Sequence, residues 1–87
     1  MSQPWFLYVL ACQGGSLYTG VSNDVARHLA AHQAGKGARY TRLHPPQRLV
    51  LCIAYPDKSA ALKAEYAFKA LSAVQKRAFV ARYGDST

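Results

Sequence analysis

The chain has 87 residues and carries eleven lysines and arginines against four acidic residues, for a formal net charge of +7. This length supports one domain with a modest core, and the charge favours a polyanionic partner, most often nucleic acid. The longest apolar run, Trp5 to Cys12, is too short to span a bilayer and lacks the flanks of a signal peptide. We therefore expect a single domain over residues 1–87 with a core at about 5–83, no membrane contact and a cytoplasmic location.

Two strands joined by a glycine-rich turn open the chain. Trp5 to Ala11 is apolar on both faces, which predicts the central strand of a sheet, and Leu17 to Val21 supplies the second strand. Because side chains alternate along a strand, the length of the connecting loop decides whether Tyr8 and Tyr18 share a face. A three-residue loop at 13–15 pairs position 10 with position 18 and puts both phenols on one face, whereas a two-residue turn separates them.

Caps and breakers define the rest of the chain. Residues 22–24 supply N-cap candidates for a helix that reaches about Ala34, and Gly35 is its C-terminal cap. Ser72 and Gln75 have the spacing of a capping box. The other predicted elements are a loop over 35–47, a strand over 48–55, helices over about 60–71 and from 72 to about 83, and a frayed end over 84–87.

These elements run β-β-α-β-α-α, so we expect an α/β or α+β fold in which a small three-stranded antiparallel sheet is flanked by about three helices. Local pattern does not fix the strand order. Cys12 and Cys52 both lie in predicted strands, where thiols behave as small hydrophobic groups. We expect both to be buried and free, since a disulfide would be unusual in a reducing compartment.

Two histidines lie where the first helix is expected to face the core. Val25, His28, Leu29 and His32 follow the i, i+3, i+4, i+7 spacing, so the histidines share a stripe with apolar residues. Arg27 lies on the adjacent turn. This places three polar side chains beside the predicted sheet, where they are candidates for chemistry.

Glu65 is the only acidic residue between positions 58 and 84. The buried side of its helix is marked by Ala61, Leu62, Phe68 and Leu71. A lone carboxylate beside such an apolar stripe is costly unless it has a partner, a metal or a catalytic task. The alternative is an ion pair with Lys69, four residues later on the same helix, and the sequence by itself leaves both open.

Segments spread over most of the chain resemble the GIY-YIG nuclease superfamily, in particular its small stand-alone bacterial members. The segments are Phe6-Leu7-Tyr8, Tyr18-Thr19-Gly20, Asn23-Asp24-Val25, His32, the loop from Gly35 to Arg42, Ala61 to Glu65, and Gln75-Lys76. The resemblance runs from about residue 5 to residue 79. Each tyrosine triplet is weak alone, but their order and spacing together with the downstream segments are specific.

The resemblance implies hydrolysis of phosphodiester bonds by an endonuclease that uses one divalent metal, Mg²⁺ or Mn²⁺. It places the metal on Glu65, and a single carboxylate suits hard cations that keep several waters. It also implies catalytic roles for Tyr8, Tyr18 and His32, with one tyrosine acting as general base or positioning the attacking water. Gly20 corresponds to the glycine of the second triplet. The resemblance does not settle which tyrosine has which role.

The chain departs from the family at the arginine that lies four residues before the histidine, because His28 stands there. Arg27, one residue earlier, is the neighbouring base. An imidazole has fewer donors than a guanidinium and is only partly charged near neutral pH. Three outcomes follow: His28 substitutes with lower efficiency, Arg27 takes over the role, or the protein binds nucleic acid without cutting it. We expect a nuclease weakened by this substitution.

The loop after the first helix and the strand that follows it carry the candidate nucleic-acid-binding residues. These are Lys36, Arg39, Tyr40, Arg42 and Arg48. Cations around an aromatic ring suit a strand whose bases can stack. We expect nucleic acid as the partner, DNA before RNA, with no obligate protein partner.

Two other functions compete with the nuclease. A non-catalytic nucleic-acid-binding domain of the same fold would use the same basic loop. A zinc site is the other alternative, because His28 and His32 at i, i+4 can share Zn²⁺ with Glu65 as a third ligand.

Overall fold

The computed structural model describes residues 3–84. Its elements are β1 (Trp5–Cys12), β2 (Leu17–Ser22), α1 (Val25–Gln33), α2 (Arg39–Leu43), β3 (Pro46–Tyr55), α3 (Lys58–Lys69) and α4 (Ala73–Tyr83). The predicted order β-β-α-β-α-α is confirmed, with the short helix α2 as an addition. No helix in the described part of the chain is long and apolar enough to cross a bilayer.

The sheet is antiparallel with the strand order β2-β1-β3, so β1 is central as its apolar composition predicts. Leu10 pairs with Tyr18 and Tyr8 with Gly20. The backbone N–H of Cys12 bonds the carbonyl of Ser16, which leaves residues 13–15 as a three-residue loop. Of the two loop lengths, the structure therefore has the one that puts both tyrosines on one face.

Two hydrophobic clusters lie on opposite faces of β1, because its alternate residues point opposite ways. Tyr8, Leu10 and Cys12 face α1, where Leu29 packs against them. The other face holds Leu7, Val9, Val50, Leu51 and Phe68, under α3 and α4. The sheet is thus covered on both sides, and Tyr8 lies in the cluster that faces α1.

Two helix starts follow the predicted capping residues, whereas α3 starts at Lys58, two residues before its predicted start. Asp24 and Asp57 are the N-caps of α1 and α3, and each side chain accepts a hydrogen bond from the backbone three residues on. Ser72 and Gln75 form the predicted capping box of α4. Gly35 follows α1 with φ of 77°, in the left-handed region that suits a glycine after a helix.

Several local predictions are wrong. The loop over 35–47 contains α2, and β3 begins at Pro46 instead of Arg48, since a proline is tolerated on an edge strand. Cys12 is buried and free as expected, but Cys52 is free and exposed. The cause is that the end of β3 is covered on one face only, so burial alternates there. Leu62 is likewise exposed, on the outer side of α3.

The predicted frayed end is only partly within the described residues. Gly84 is buried, caps α4 through a 2.7 Å hydrogen bond from its N–H to the carbonyl of Val80, and is therefore part of the fold. Residues 85–87 lie outside the described residues. The expectation of a frayed end is thus wrong at Gly84 and stays a prediction beyond it.

Candidate active site

Tyr8 and His32 form the centre of the candidate site. Tyr8 lies on β1 and His32 on the last turn of α1, and both side chains are buried. The Tyr8 hydroxyl is 3.0 Å from Nε2 of His32, and Nδ1 of His32 is 2.7 Å from Oγ1 of Thr41 on α2. His32 is therefore held through both ring nitrogens, which fixes the orientation of its imidazole.

The side chains of Tyr8 and His32 occupy space that is free because two neighbouring residues are glycines. Gly20 pairs with Tyr8 in the sheet, and a Cβ atom at Gly20 would stand 2.6 Å from the Tyr8 hydroxyl oxygen. A Cβ atom at Gly37 would overlap the His32 ring at Nδ1. Close approach is a physical reason for glycine at both positions. Sequence reasoning singled out Gly20 but missed Gly37, although Gly37 lies inside the loop segment that carries the resemblance.

Tyr18 lies against the Tyr8–His32 pair. Its ring centroid is 6.5 Å from that of Tyr8 and 5.1 Å from that of His32. Tyr40 stacks on Tyr18 at 6.0 Å with 22° between the ring planes, and His44 lies 4.7 Å beyond Tyr40. Since Tyr18 is half-buried and Tyr40 is exposed, the row of rings leads from the buried pair to the surface.

Burial sets the protonation of the central pair. It raises the pKa of Tyr8 to about 12, with further contributions from Tyr18 and the negative charge of Glu65. Burial also lowers the pKa of His32 below its usual range, and the nearby charge of His28 acts in the same direction. Near neutral pH, Tyr8 is therefore a protonated phenol beside a neutral imidazole, and both pKa shifts favour this uncharged pair over a phenolate–imidazolium pair.

Glu65 is the carboxylate that the fold leaves available. Of the three acidic side chains in residues 3–84, Asp24 and Asp57 bind backbone N–H groups as helix caps. Glu65 is 19% exposed and lies 3.3 Å from Nζ of Lys69, whose side chain is 56% exposed. The predicted i, i+4 pair therefore exists, but such a pair is worth only about 0.3–0.5 kcal/mol. Lys69 can leave Glu65 at small cost.

The donor set around Glu65 fits a hard divalent cation. A carboxylate has about four acceptor positions, and a single ion pair to a lysine leaves most of them free. Mg²⁺ and Mn²⁺ take one or two carboxylates and complete their shell with water. The zinc alternative does not fit, since no group of three His, Cys, Asp or Glu side chains comes together within residues 3–84, and both nitrogens of His32 are engaged.

A cleft of about 230 Å³ connects Glu65's helix to the row of rings. It is lined by Leu17, Tyr18, Thr19, Tyr40, Lys69 and Lys76. Its cations come from α3 and α4, and its aromatic wall from β2 and α2. Sequence reasoning gave no binding role to Lys69 or Lys76, because only the fold shows that these helices border Tyr18.

His28 is exposed, and the prediction that it shares the core-facing stripe is wrong. Its Nδ1 is hydrogen-bonded to Oγ of Ser22, the buried last residue of β2, which holds the ring at the surface. It nevertheless lies one turn before His32. Arg27 is also exposed, and its backbone N–H donates to Asp24.

The predicted nucleic-acid-binding residues occupy two places. Lys36, Arg39 and Arg42 are exposed on and before α2, next to Tyr40, which is also exposed. Arg48 is exposed on β3 and lines a different hollow together with Arg77. The loop cations thus border the row of rings, whereas Arg48 lies in the second hollow.

Comparisons with known proteins agree with this arrangement. The family model described as the GIY-YIG catalytic domain matches residues 4–78. A UPF0213 protein of Cupriavidus pinatubonensis is 55% identical over 82 residues, which cover 94% of this chain and 91% of that protein. A UPF0213 protein of Vibrio cholerae is 48% identical over 82 residues, covering 93% and 81%.

A solved structure shares the fold as well as the sequence. The solution NMR structure of a UPF0213 protein from Bacillus halodurans has a TM-score of 0.63 and 42% identity, with 95% of this chain and 88% of that chain covered. The family match spans both tyrosine triplets, His32 and Glu65. The chain therefore belongs to the GIY-YIG family, whose catalytic domain is of the nuclease type.

Proposed function

We propose that this protein is a metal-dependent endonuclease that hydrolyses phosphodiester bonds of nucleic acid, with DNA favoured over RNA. The observation that carries the proposal is the 3.0 Å hydrogen bond between the buried Tyr8 hydroxyl and Nε2 of His32, with Tyr18 packed against both. A phenol and an imidazole in hydrogen-bond contact are a usable pair for general acid–base catalysis. Residues 1–87 then act as one catalytic domain.

Tyr8 is the general base in this proposal. Its raised pKa prevents it from losing a proton unaided, so it passes its own proton to His32 as it accepts one from the attacking water. Tyr18, which is less buried and borders the cleft, orients that water and the phosphate. This division of roles follows from the hydrogen bonding, because the base needs a partner for its proton and, of the two tyrosines, Tyr8 is the one bonded to His32.

Glu65 would hold the divalent cation, Mg²⁺ or Mn²⁺, once Lys69 turns away. When bound, that cation supplies positive charge beside the phosphate and makes its own water more acidic. Lys69 and Lys76 line the cleft, where their positive charges can pair with the negative charge of a bound phosphate. Arg27 and His28 are exposed side chains of α1 that we assign to the phosphoryl group, where preorganised polar and charged groups lower the barrier.

The experiment for this proposal is a cleavage assay over single-stranded, duplex and branched DNA and RNA, with Mn²⁺, Mg²⁺ or a chelator, from pH 6 to 9. The wild type, Arg27→Ala, His28→Ala and His28→Arg are compared. We expect the wild type to cut with either metal and His28→Arg to cut faster, because a guanidinium stays charged over this range. His28→Ala should be slower than wild type, because it lacks a polar side chain that can contact the phosphoryl group.

Failure of all four proteins to cut any substrate would refute the proposed nuclease activity. One observation favours a non-catalytic alternative in that case: Glu65 has an ion-pair partner within the chain in Lys69. The protein would then be a nucleic-acid-binding domain of the same fold. Intact binding by Glu65→Ala together with the absence of cleavage would support that alternative.

The loop cations are expected to dominate binding. Arg39→Gln with Arg42→Gln should weaken DNA binding and reduce the slope of log K against log salt by about 1.4–1.8, since each phosphate contact contributes about 0.7–0.9. The matched control is Lys58→Gln with Lys63→Gln, which removes the same charge from a separate hollow on α3. Equal losses in the two double variants would show that only the net charge matters and would remove the loop from the interface.

The proposal also covers the cellular location and the partners of the protein. Its free thiols Cys12 and Cys52 suit a reducing compartment, and its net charge of +7 suits a polyanionic partner. We therefore infer a cytoplasmic location in contact with nucleic acid, and no obligate protein partner.

A further inference from the structure

Thr41 is buried beside the candidate site, on the short helix α2. Its side chain is 1% exposed, and its hydroxyl donates to the carbonyl of Ala38, the N-cap of α2, at 2.9 Å. The same oxygen is 2.7 Å from Nδ1 of His32. A threonine hydroxyl has one hydrogen and two lone pairs, so the bond to Ala38 leaves it able only to accept from His32.

This count determines where His32 carries its proton. Because Oγ1 of Thr41 has no second hydrogen to give, the hydrogen between Thr41 and His32 must belong to Nδ1. A neutral imidazole has one N–H, so Nε2 then presents a lone pair. Nε2 is the atom that lies 3.0 Å from the Tyr8 hydroxyl, and Tyr8 must therefore donate to it.

We propose that Thr41 is a positioning residue that holds His32 in the Nδ1–H tautomer, so that Nε2 can take the phenolic proton of Tyr8. Its catalytic consequence rests on the function proposed above. In that step the O–H bond of Tyr8 breaks and an N–H bond forms at Nε2, which makes His32 an imidazolium. The Tyr8 oxygen takes a proton from the attacking water, and the water oxygen bonds phosphorus as the bond from phosphorus to the leaving sugar oxygen breaks. The leaving oxygen takes a proton from solvent, and His32 returns its extra proton to solvent. The Nδ1–H bond to Thr41 persists throughout.

The opposite tautomer would stop this transfer. With the proton on Nε2, His32 would donate to Tyr8 and could not receive from it. The lowered pKa of His32 favours the neutral ring, in which the choice of tautomer matters. The short helix α2 explains how the choice is enforced, because its first turn brings the Ala38 carbonyl and Oγ1 of Thr41 together, and Gly37 leaves room for the ring.

The test compares wild type, Thr41→Val and Thr41→Ser by ¹⁵N NMR of the histidine rings at pH 7.5, with DNA cleavage and thermal melting measured on the same samples. The protonated and unprotonated ring nitrogens of a neutral imidazole have well-separated shifts, so the spectrum reports the tautomer directly. We expect the Nδ1–H tautomer in wild type and in Thr41→Ser. Thr41→Val, which has nearly the same shape and no hydroxyl, should show a mixture or the Nε2–H tautomer.

Cleavage should fall by about 10–100-fold in Thr41→Val, by analogy with the loss found when a hydrogen-bonding partner of a metal-ligating histidine is removed, and it should recover in Thr41→Ser. An Nε2–H tautomer in wild type would overturn the proposal, as would an unchanged tautomer in a folded Thr41→Val. A loss of cleavage in Thr41→Val with an unchanged tautomer would also overturn it. A wild type that has the Nδ1–H tautomer but cuts no substrate would refute the nuclease function and leave the tautomer assignment supported.

Discussion

Tyr8→Phe is expected to lose about 10²–10⁴-fold in cleavage rate, the range typical of a removed general base, while DNA binding stays within twofold. The substitution removes the only hydroxyl that bonds Nε2 of His32 and leaves the aromatic ring in its place under Gly20. The expected cost in stability is about 1–3 kcal/mol, because His32 keeps a buried nitrogen without a partner. Single-turnover cleavage and thermal melting measure the two effects separately.

Two other tyrosines provide the controls. Tyr66→Phe changes the same group on the exposed outer face of α3 and should leave cleavage and stability unchanged. Tyr18→Phe should reduce cleavage less than Tyr8→Phe, since Tyr18 is not hydrogen-bonded to His32 in the proposed relay. A Tyr8→Phe protein that cuts at the wild-type rate would exclude Tyr8 as the base.

Gly37→Ala is expected to give the largest loss of stability among the single-methyl changes at the site, about 1–3 kcal/mol, together with a loss of cleavage. Its Cβ would overlap Nδ1 of His32, and that ring is held at both nitrogens and cannot turn aside without breaking a hydrogen bond. Denaturant unfolding measures the change.

A double-mutant cycle isolates the cause. In a His32→Ala background the ring is absent, so adding Gly37→Ala should change stability by less than about 0.5 kcal/mol. An equal loss in both backgrounds would show that the backbone at Gly37, and not contact with His32, requires glycine.

The hairpin and the caps were the most predictable parts of the fold. The apolar composition of β1 predicts a central strand. Whether Tyr8 and Tyr18 share a face of the sheet depends only on the length of the loop between their strands. Asp24, Ser72 and Gln75 fix helix starts because their bonds are made within four residues. The strand order β2-β1-β3 depends on contacts between distant segments, which no local pattern contains.

The errors at Cys52, Leu62 and His28 have one origin. Each lies in a stretch with the periodicity or composition of a buried face, and each is exposed because no other element covers it. A small sheet has two edge strands and few helices to cover it. The sequence therefore has more positions with an apolar pattern than the fold can bury. Leu62 lines an open hollow with Tyr66, and Cys52 lies on the half-covered end of β3.

Within the candidate site, the sequence pointed to residues with distinctive chemistry and missed those with supporting roles. Tyr8, Tyr18 and His32 come together as the resemblance implies. Thr41 and Gly37 became visible only through their contacts, because a threonine or a glycine in a loop is common and has no spacing rule. Lys69 and Lys76 were missed because their importance depends on where α3 and α4 meet β2.

The most direct measurement of the central claim is DNA cleavage by wild type and by Glu65→Gln at equal fractional binding, with Mn²⁺ titrated from zero. The account predicts that wild type cuts only when the metal is present, and that Glu65→Gln binds DNA equally well but cuts at least 10²-fold more slowly, as expected when charge stabilisation at the reacting phosphate is lost. Cleavage by Glu65→Gln at the wild-type rate, or wild-type cleavage that is independent of metal, would contradict it.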